Sequence, residues 1–341
     1  MTKTSRTDVP ENVSWKQALA RRQSPSLRRS LWQLTNTLVP YFALWGLMIW
    51  SLNISYWITL GLAVVAAGFQ ARIFIIFHDC AHGSFMSSRP ANRFLEFFTG
   101  VLSFTPYRQW RHKHALHHRN SGDLDGRGSG DVWTLTVEEY ISAPRWKRIA
   151  YRLVRNPLVL FVVVPLYLFL IHYRIPSRSV GNNHRQGVHF TNGALAGIVI
   201  FMSFTIGIKS YLLIQLPVIL LASTAGVWLF YVQHQFEGVY WERRQNWKFK
   251  TAALRGSSYY RLPRVLQWFT GNIGFHHVHH LCPSIPNYNL EQVHREIPMF
   301  QQVRPVTLCS SMASLSFRLY DEGQRKLVGF RHLKAMGRRD F

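Results

Sequence analysis

The chain has 341 residues, of which 40 are Lys or Arg and 16 are Asp or Glu, so its formal net charge is +24. A nucleic-acid binder can be this basic, but 48% of the residues are hydrophobic, and long uncharged apolar stretches favour a membrane protein with basic cytoplasmic loops. Three cysteines without a C-x-x-C spacing argue against a disulfide framework or a zinc knuckle.

Residues 1–32 are polar and basic and lack the apolar core of a signal peptide, so we expect a cytoplasmic tail. Four later stretches are apolar enough to span about 30 Å of hydrocarbon. Short connections at 53–55 and 209–210 predict that they form two helical hairpins. The expected fold is an all-α integral membrane protein whose transmembrane helices cover residues 33–52, 56–77, 192–208 and 211–231. Arg72, near the cytoplasmic end of the second span, should pair or reach the interface.

Two shorter apolar stretches, 94–106 and 157–173, are ambiguous between spanning and interfacial segments. If the histidine patches described next form one site, they lie on one side of the membrane, and neither stretch can cross it. The arginine-rich segment 174–191 contains no acid and is predicted to be cytoplasmic by the positive-inside rule. Both termini then lie in the cytosol, and short interfacial helices should form a cap after residue 236.

Nine histidines occur in four patches. Two patches share the spacing H-x-x-H-H, which places three imidazoles on one helix face, and another has the spacing H-x-x-x-H. A lone histidine follows the last span. Because imidazole is the commonest metal-ligating side chain and one metal takes about four to six ligands, nine predict two metals. The candidate ligands are His78, His82, His114, His117, His118, His234, His276, His279 and His280.

Four residues beside these patches are placed outside the set of candidate ligands. Asp79 is a candidate for orienting an imidazole from outside the ligand set, with a plain structural role as the alternative. His112 and His277 are candidates for the same outer position or for the membrane interface. Cys80 is about 200° around the helix from His78 and should be a packing residue.

The acidic segment around Asp131, Glu138 and Glu139 is interpreted as a solvated turn, with Thr136 as the N-cap of a following helix. Ligand type alone leaves iron, copper and zinc open, although zinc usually takes four ligands and often includes a Cys or a carboxylate. A disordered histidine-rich metal buffer is disfavoured because the patches adjoin apolar spans.

The words HDCAH, HALHH and HHVHH occur here in the same order as in the membrane-bound fatty acid desaturases, and the chain most resembles the bacterial acyl-lipid desaturases. The contexts GDVWTLTVEEY, YVQHQFE and GNIGFHHVHHLCPSIPNYNL strengthen the resemblance, which covers roughly residues 30–320. It implies a desaturase domain over 33–320, a basic C-terminal tail over 321–341, and the nine histidines as ligands of two iron ions.

The resemblance further implies an O₂-dependent enzyme that introduces a cis double bond into an acyl chain of a membrane lipid. The cytoplasmic face of a bacterial inner membrane is the expected location, and a separate electron donor is expected: ferredoxin, flavodoxin or a cytochrome b5-like carrier. A carotenoid ketolase or hydroxylase on the same scaffold is the nearest alternative. A membrane metal transporter or sensor is the alternative from another class, and it predicts histidines spread along the spans. No nucleic-acid partner is expected.

Overall fold

The computed structural model describes residues 15–128, 130–177 and 180–335. The outer parts of both expected tails, residues 1–14 and 336–341, lie outside these residues, as does Arg178 of the arginine-rich segment. The described chain is mostly helical. Its first helices are α1 (Trp15–Ala20), α2 (Leu27–Ser51), α3 (Tyr56–His82), α4 (Arg89–Leu102), α5 (Tyr107–Asn120), α6 (Val137–Ser142), α7 (Arg145–Val154), α8 (Val164–Leu166), α9 (Asn182–Thr205) and α10 (Ile208–His234).

Shorter helices follow the last long one: α11 (Phe249–Arg255), α12 (Arg264–Phe269), α13 (His276–Leu281), α14 (Asn287–Glu296), α15 (Pro298–Gln301), α16 (Leu308–Ser311) and α17 (Arg331–Ala335). Two π-helical segments, Val159–Val163 and Tyr167–Ile171, flank α8, and 3₁₀ turns cover His172–Arg174 and Met312–Ser316. The strands are β1 (Leu135–Thr136), β2 (Tyr259–Arg261), β3 (Pro305–Thr307), β4 (Leu319–Asp321) and β5 (Lys326–Val328).

Each of the four expected spans falls mainly within a long helix, in the order α2, α3, α9 and α10. Of the described helices, α3, α9 and α10 are long and apolar enough to cross a membrane individually, whereas α2 is long but less apolar. The second hairpin turns at Ile206 and Gly207, not at 209–210. Gly207 has φ +81°, a left-handed conformation that glycine adopts without steric cost and that ends the helix early.

The ambiguous stretch 157–173 forms a continuous but irregular helical segment with two π-helical turns. Its axis is bent by 66° from that of α7. By length and composition, the pair is either one broken span or a re-entrant loop. The other ambiguous stretch, 94–106, falls mainly within the amphipathic helix α4.

Helix α3 is the centre of the bundle, with α2 and α10 packed against it. Ala63 and Ala66 of α3 are fully buried, and such small side chains let neighbouring helices approach closely. The apolar cluster between the three helices contains Tyr41, Met48, Ala63, Ala66, Phe69, Ile73, Ile214 and Val218.

Arg72 is paired inside the protein. Its Nε donates to Thr37 Oγ1 at 3.0 Å, an Nη1 donates to the Trp268 carbonyl oxygen, and its guanidinium lies 4.1 Å from the centroid of the Trp268 ring. These contacts join α2, α3 and α12. Of the two expectations for this residue, internal pairing is the one that the structure shows.

Two small sheets lie in the cap, so the description all-α has to be corrected to mostly helical. Strand β1 pairs in parallel with β4, which pairs antiparallel with β5, and β2 pairs in parallel with β3. These strands have two or three residues each. Strands β1 and β2 pair with β4 and β3, which lie far along the chain, and a local sequence pattern does not show such pairing.

The described parts of both expected tails are packed against the protein. Leu19 is 3% exposed in a cluster with residues of α3 and α13, and Arg22 pairs with Glu296 at 2.7 Å. Leu327 and Leu333 at the other end are also buried. The expected boundaries at 32 and 321 therefore cut through packed structure. The high charge of both segments concealed the apolar residues that anchor them.

Gly274 lies just before α13, where its backbone packs closely against that of Tyr260 in β2. Its carbonyl accepts from the Tyr260 N–H at 2.7 Å, and a Cβ at this position would lie 2.4 Å from the Tyr260 carbonyl oxygen. Because the Tyr260 carbonyl oxygen belongs to the backbone of β2, a side chain at position 274 fits only if β2 or the start of α13 is displaced. Gly226 in α10 has open space around its Cβ position.

We predict that Gly274→Ala destabilises the protein by about 1–3 kcal/mol, as overpacking of a close contact does. Gly226→Ala is the matched control and should be neutral or slightly stabilising, because alanine favours a helix. Thermal unfolding of the purified proteins in detergent measures both. Equal midpoints for Gly274→Ala and the unmutated protein would contradict the prediction.

Candidate metal centre

Four helices bring the nine histidines together at one end of the bundle. Helix α3 contributes two histidines from its last turns, α10 ends on a third, and α5 and α13 carry three each at the spacing i, i+3, i+4. That spacing directs all three imidazoles of a helix to one face. Helices α3 and α10 extend beyond the expected spans, so the candidate ligands at their ends still lie in regular helix.

The nine side chains divide into a group of five and a group of four, and within each group the candidate ligand atoms lie within 4.8 Å of one another. The five-histidine group contains His78, His82, His114, His118 and His279, and the four-histidine group contains His117, His234, His276 and His280. Each group draws on three helices. Side chains from α5 and α13 occur in both, so the two groups share two of their supports.

The Nε2 atoms face one another within each group. His114 Nε2 lies 3.0 Å from His78 Nε2 and 3.1 Å from His118 Nε2, and His234 Nε2 lies 3.0 Å from His276 Nε2. Metal–nitrogen bonds of about 2.1 Å at right angles place two ligand atoms about 3.0 Å apart. The buried Nε2 of His82 has no hydrogen-bond partner among the described residues. Both features fit imidazoles arranged around a cation.

Burial keeps the cap imidazoles neutral. The pKa values of His114, His118, His276, His279 and His280 all lie well below the usual range, first because burial disfavours the charged ring and then because neighbouring histidines repel a second charge. A neutral imidazole retains the lone pair that a metal requires.

Three ligand candidates have a hydrogen-bond acceptor behind the ring. His117 Nδ1 lies 2.5 Å from Asp131 Oδ1, His78 Nδ1 lies 3.3 Å from Asp79 Oδ1, and His234 Nδ1 lies 3.1 Å from the Gly256 carbonyl oxygen. An Nδ1–H that donates to these oxygens leaves Nε2 free for a metal. Each group of histidines therefore has one ring oriented by an aspartate.

Asp79 links the centre to the rest of the cap. Its second carboxylate oxygen accepts from the backbone N–H of Asn287 at 2.6 Å and from Asn287 Nδ2 at 2.8 Å. The carboxylate is 1% exposed. These bonds satisfy the charge and fix the face that it presents to His78.

The interpretation of Asp131 as part of a solvated turn was wrong, because its side chain is only 9% exposed and contacts His117. Its position in an acid-poor chain, soon after the histidine word at 114–118, is a weak sequence signal, because Asp123 and Asp125 lie between them. Glu139 completes a capping box with Thr136, as the N-cap expectation required, and pairs with Arg127 at 2.6 Å. Glu138 is exposed, as interpreted.

The structure gives His112 and His277 partners away from the two histidine groups. The ring of His112 lies 4.8 Å from that of His184. His277 Nε2 lies 3.1 Å from His294 Nδ1, and burial lowers the pKa of His277 to about 3. Cys80 is buried in an apolar cluster with Ile76, as expected for a packing residue.

Aromatic side chains flank the centre. Trp110 stacks on His114 with a centroid distance of 4.3 Å and an interplanar angle of 19°. Phe230 lies 5.1 Å from His117 and 5.2 Å from His234. These rings restrict imidazole rotation and provide apolar surface that limits access of water to the Nε2 atoms. Neither residue could be assigned to the site from its spacing.

Comparison with known proteins matches residues 55–305 to the family model described as fatty acid desaturase. The chain is 48% identical over 310 residues to a fatty acid desaturase of Bacillus subtilis, which covers 91% of this chain and 88% of the relative. It is 28% identical over 240 residues to the sn-1 acyl-lipid omega-3 desaturase (ferredoxin) of Synechocystis, with 64% and 62% coverage. An sn-1 oleoyl-lipid 12-desaturase of the same organism is 24% identical over 244 residues, with 70% and 66% coverage.

The family match covers most of the chain and includes all nine histidines, and one relative matches nearly its whole length. The clustered imidazoles and these comparisons lead to the same result. The chain belongs to the fatty acid desaturase family and is an oxidoreductase.

Proposed function

We propose that this desaturase uses two iron ions, one in each histidine group, to introduce a cis double bond into an acyl chain of a membrane lipid. The observation that carries the proposal is the division of the nine imidazoles into groups of five and four with converging Nε2 atoms. Imidazole ligands suit iron as well as copper or zinc, and the match to the fatty acid desaturase family supports iron at an oxygen-activating site. The alternative of a transporter or sensor is disfavoured because the histidines meet at one end of the helices instead of lining them.

The bound irons would supply O₂ activation, which removal of hydrogen from an unactivated methylene requires. In the overall reaction, two neighbouring carbons each lose one hydrogen and gain a double bond, and O₂ is reduced to two waters with two electrons from a donor and two protons. The protein positions the acyl chain and excludes bulk water. Trp110 and Phe230 form apolar walls beside the ligand rings, and Asp79 and Asp131 hold the Nδ1 protons of His78 and His117.

The proposed substrate and donor follow from the relatives. Two relatives are named as sn-1 acyl-lipid and sn-1 oleoyl-lipid desaturases, and one name specifies ferredoxin. We extend both features to this chain: a lipid-bound acyl substrate, and electrons from a separate ferredoxin, flavodoxin or cytochrome b5-like protein. The net charge of +24 favours approach of an acidic carrier. Lipid profiling of a host that lacks unsaturated fatty acids, with and without this protein, tests the reaction, and a ketone or alcohol product would contradict it.

The proposed topology has four spans, α2, α3, α9 and α10, with the histidines at the cytoplasmic face of a bacterial inner membrane. The bent segment after α7 is then re-entrant, because a crossing there would place His234 on the opposite side from His117. The two lie 3.1 Å apart between their Nε2 atoms, so they are on the same side.

We predict that His234→Ala abolishes desaturation and lowers the iron content from about two to about one per chain, because it removes one of four ligands from one group. His184→Ala is the control: it also removes an imidazole, but His184 belongs to neither group, so activity and iron should be retained. Elemental analysis and lipid profiling measure both variants. One stoichiometric zinc without iron in the unmutated protein would disprove the metal assignment.

We predict that Asp131→Asn weakens metal binding at the four-histidine group by about 10–100-fold, as loss of an orienting partner behind a ligand does. Glu138→Gln, a change of the same kind at an exposed acid nearby, should leave affinity unchanged. Iron retention during titration with a chelator gives the readout without relying on activity. Identical retention by the two variants would show that Asp131 does not orient His117.

Topology is tested by single cysteines in a Cys309→Ser background, since Cys80 and Cys282 are buried. Asn53 and Gln186 are both exposed and lie in a hairpin connection and at the start of α9. With an impermeant thiol reagent added to intact cells, Asn53→Cys should label and Gln186→Cys should label only after lysis. Labelling of Gln186→Cys in intact cells would contradict the single-sided site.

A further inference from the structure

A cavity of about 810 Å³ lies outside the metal centre, between the start of α2, helix α12 and helix α14. Arg29 and Gln33 contribute from α2, Arg264 and Trp268 from α12, and Asn287 from α14. None of the nine candidate ligands lines the cavity, and the cavity has no role in the reaction proposed above.

The cavity has uncompensated positive charge. Both glutamates that line it, Glu291 and Glu296, already form ion pairs with arginines. Arg29, Arg72 and Arg264 also line it, and none of the three forms an ion pair with a carboxylate among the described residues. Three guanidinium groups that line one cavity without a counter-charge are suited to an anion with several oxygens.

Exposed apolar side chains lie on α2 and α12, two of the helices that contribute residues to the cavity. Those on α12 include Val265, which is 66% exposed, and those on α2 include Trp32, which is 67% exposed. Exposed apolar and tryptophan side chains beside arginines are typical of a membrane–water interface. The exposed apolar residues near Arg29 on α2 and near Arg264 on α12 are Leu27, Leu31, Trp32, Val265, Leu266 and Trp268, of which Trp268 lines the cavity.

We propose that this cavity binds the phosphate group of a membrane phospholipid. The proposal rests on the proposed function only for the placement of the chain in a membrane. Arg29 is held in position by a hydrogen bond from its Nη1 to Asn289 Oδ1 at 2.6 Å, and Arg72 is held by Thr37, so two guanidinium groups are oriented before the lipid arrives. Arg264 is exposed and closes on the phosphate from the α12 side.

A second observation points to the same ligand. Gln33 is 3% exposed, and its Oε1 has no hydrogen-bond partner among the described residues. Its Nε2 donates to Asn287 Oδ1 at 3.1 Å, which fixes the orientation of the amide. An unpartnered buried acceptor costs free energy. A hydroxyl or ammonium group of the lipid headgroup, next to its phosphate, supplies the missing donor.

The cavity is also joined to the metal centre. Asn287, which accepts from Gln33, donates to Asp79, and Asp79 contacts His78. Arg72 precedes His78 by six residues on the same helix, which is about 9 Å along its axis. A phospholipid held by Arg72 and Gln33 is therefore fixed in position relative to the five-histidine group.

Native mass spectrometry of the full-length protein in detergent tests the site with phosphatidylglycerol, with a neutral glucosyl diacylglycerol and with inorganic phosphate. We expect phosphatidylglycerol to bind in preference to the neutral lipid. Arg264→Gln should weaken that binding about tenfold, because it removes a charge-assisted contact. Arg264→Lys should restore part of it, and Arg255→Gln, an exposed arginine on α11, should bind as the unmutated protein does.

Equal binding of the charged and neutral lipids would overturn the proposal, as would equal effects of Arg264→Gln and Arg255→Gln. Displacement of phosphatidylglycerol by inorganic phosphate at a comparable concentration would show a free-phosphate site and overturn the lipid assignment. The readout is binding, so it is independent of activity. Iron content and desaturation, measured on the same preparations, show separately whether the proposed function holds.

Discussion

The close approach of nine imidazoles, most of them buried, is the constraint on which the rest of this structure depends. Nε2 atoms of neighbouring rings lie about 3.0 Å apart, so lone pairs that point at one another repel, and burial disfavours relief of that repulsion by protonation of His114 or His280. A cation between them turns repulsion into ligation, so metal binding contributes directly to the stability of the fold. Until a metal binds, the protein must hold the rings in place by other contacts. The long helices and the cap provide those contacts.

Two kinds of helix carry the nine histidines. Helices α3 and α10 belong to the bundle and end in candidate ligands, whereas α5 and α13 are shorter helices that each contribute histidines to both groups. Because two helices are shared, a displacement of α13 alters both groups together. The tight approach of Gly274 to Tyr260 fixes where α13 begins. The three-stranded sheet ties β4 and β5 to β1, which follows the loop after α5, so segments far apart in sequence support the same site.

The clustering of the nine candidate histidines and the helical hairpins could be predicted from sequence because both are local patterns. A spacing of i, i+3, i+4 fixes a face within one helix, and an apolar run of sufficient length predicts a span. Asp131 could not be found in this way, because its contact with His117 depends on how the intervening loop folds back. That loop contains Gly122 and Gly130 in left-handed conformations. The pairings of β1 with β4 and of β2 with β3, and the packed tails, were missed for the same reason: they depend on long-range contacts.

Asp79 and Asp131 have different further partners, so the two histidine groups differ in the contacts that support them. Asp79 is bonded to Asn287 and through it to Gln33, a residue of the cationic cavity. Asp131 contacts His117 from the cap side, and Gly256 supports His234 in the same group. A lipid headgroup bound by Gln33 and Arg72 would therefore influence the five-histidine group first, through a chain of three hydrogen bonds. The four-histidine group is supported by contacts that the cavity does not reach, so lipid binding in the cavity and metal retention by the four-histidine group can be altered separately.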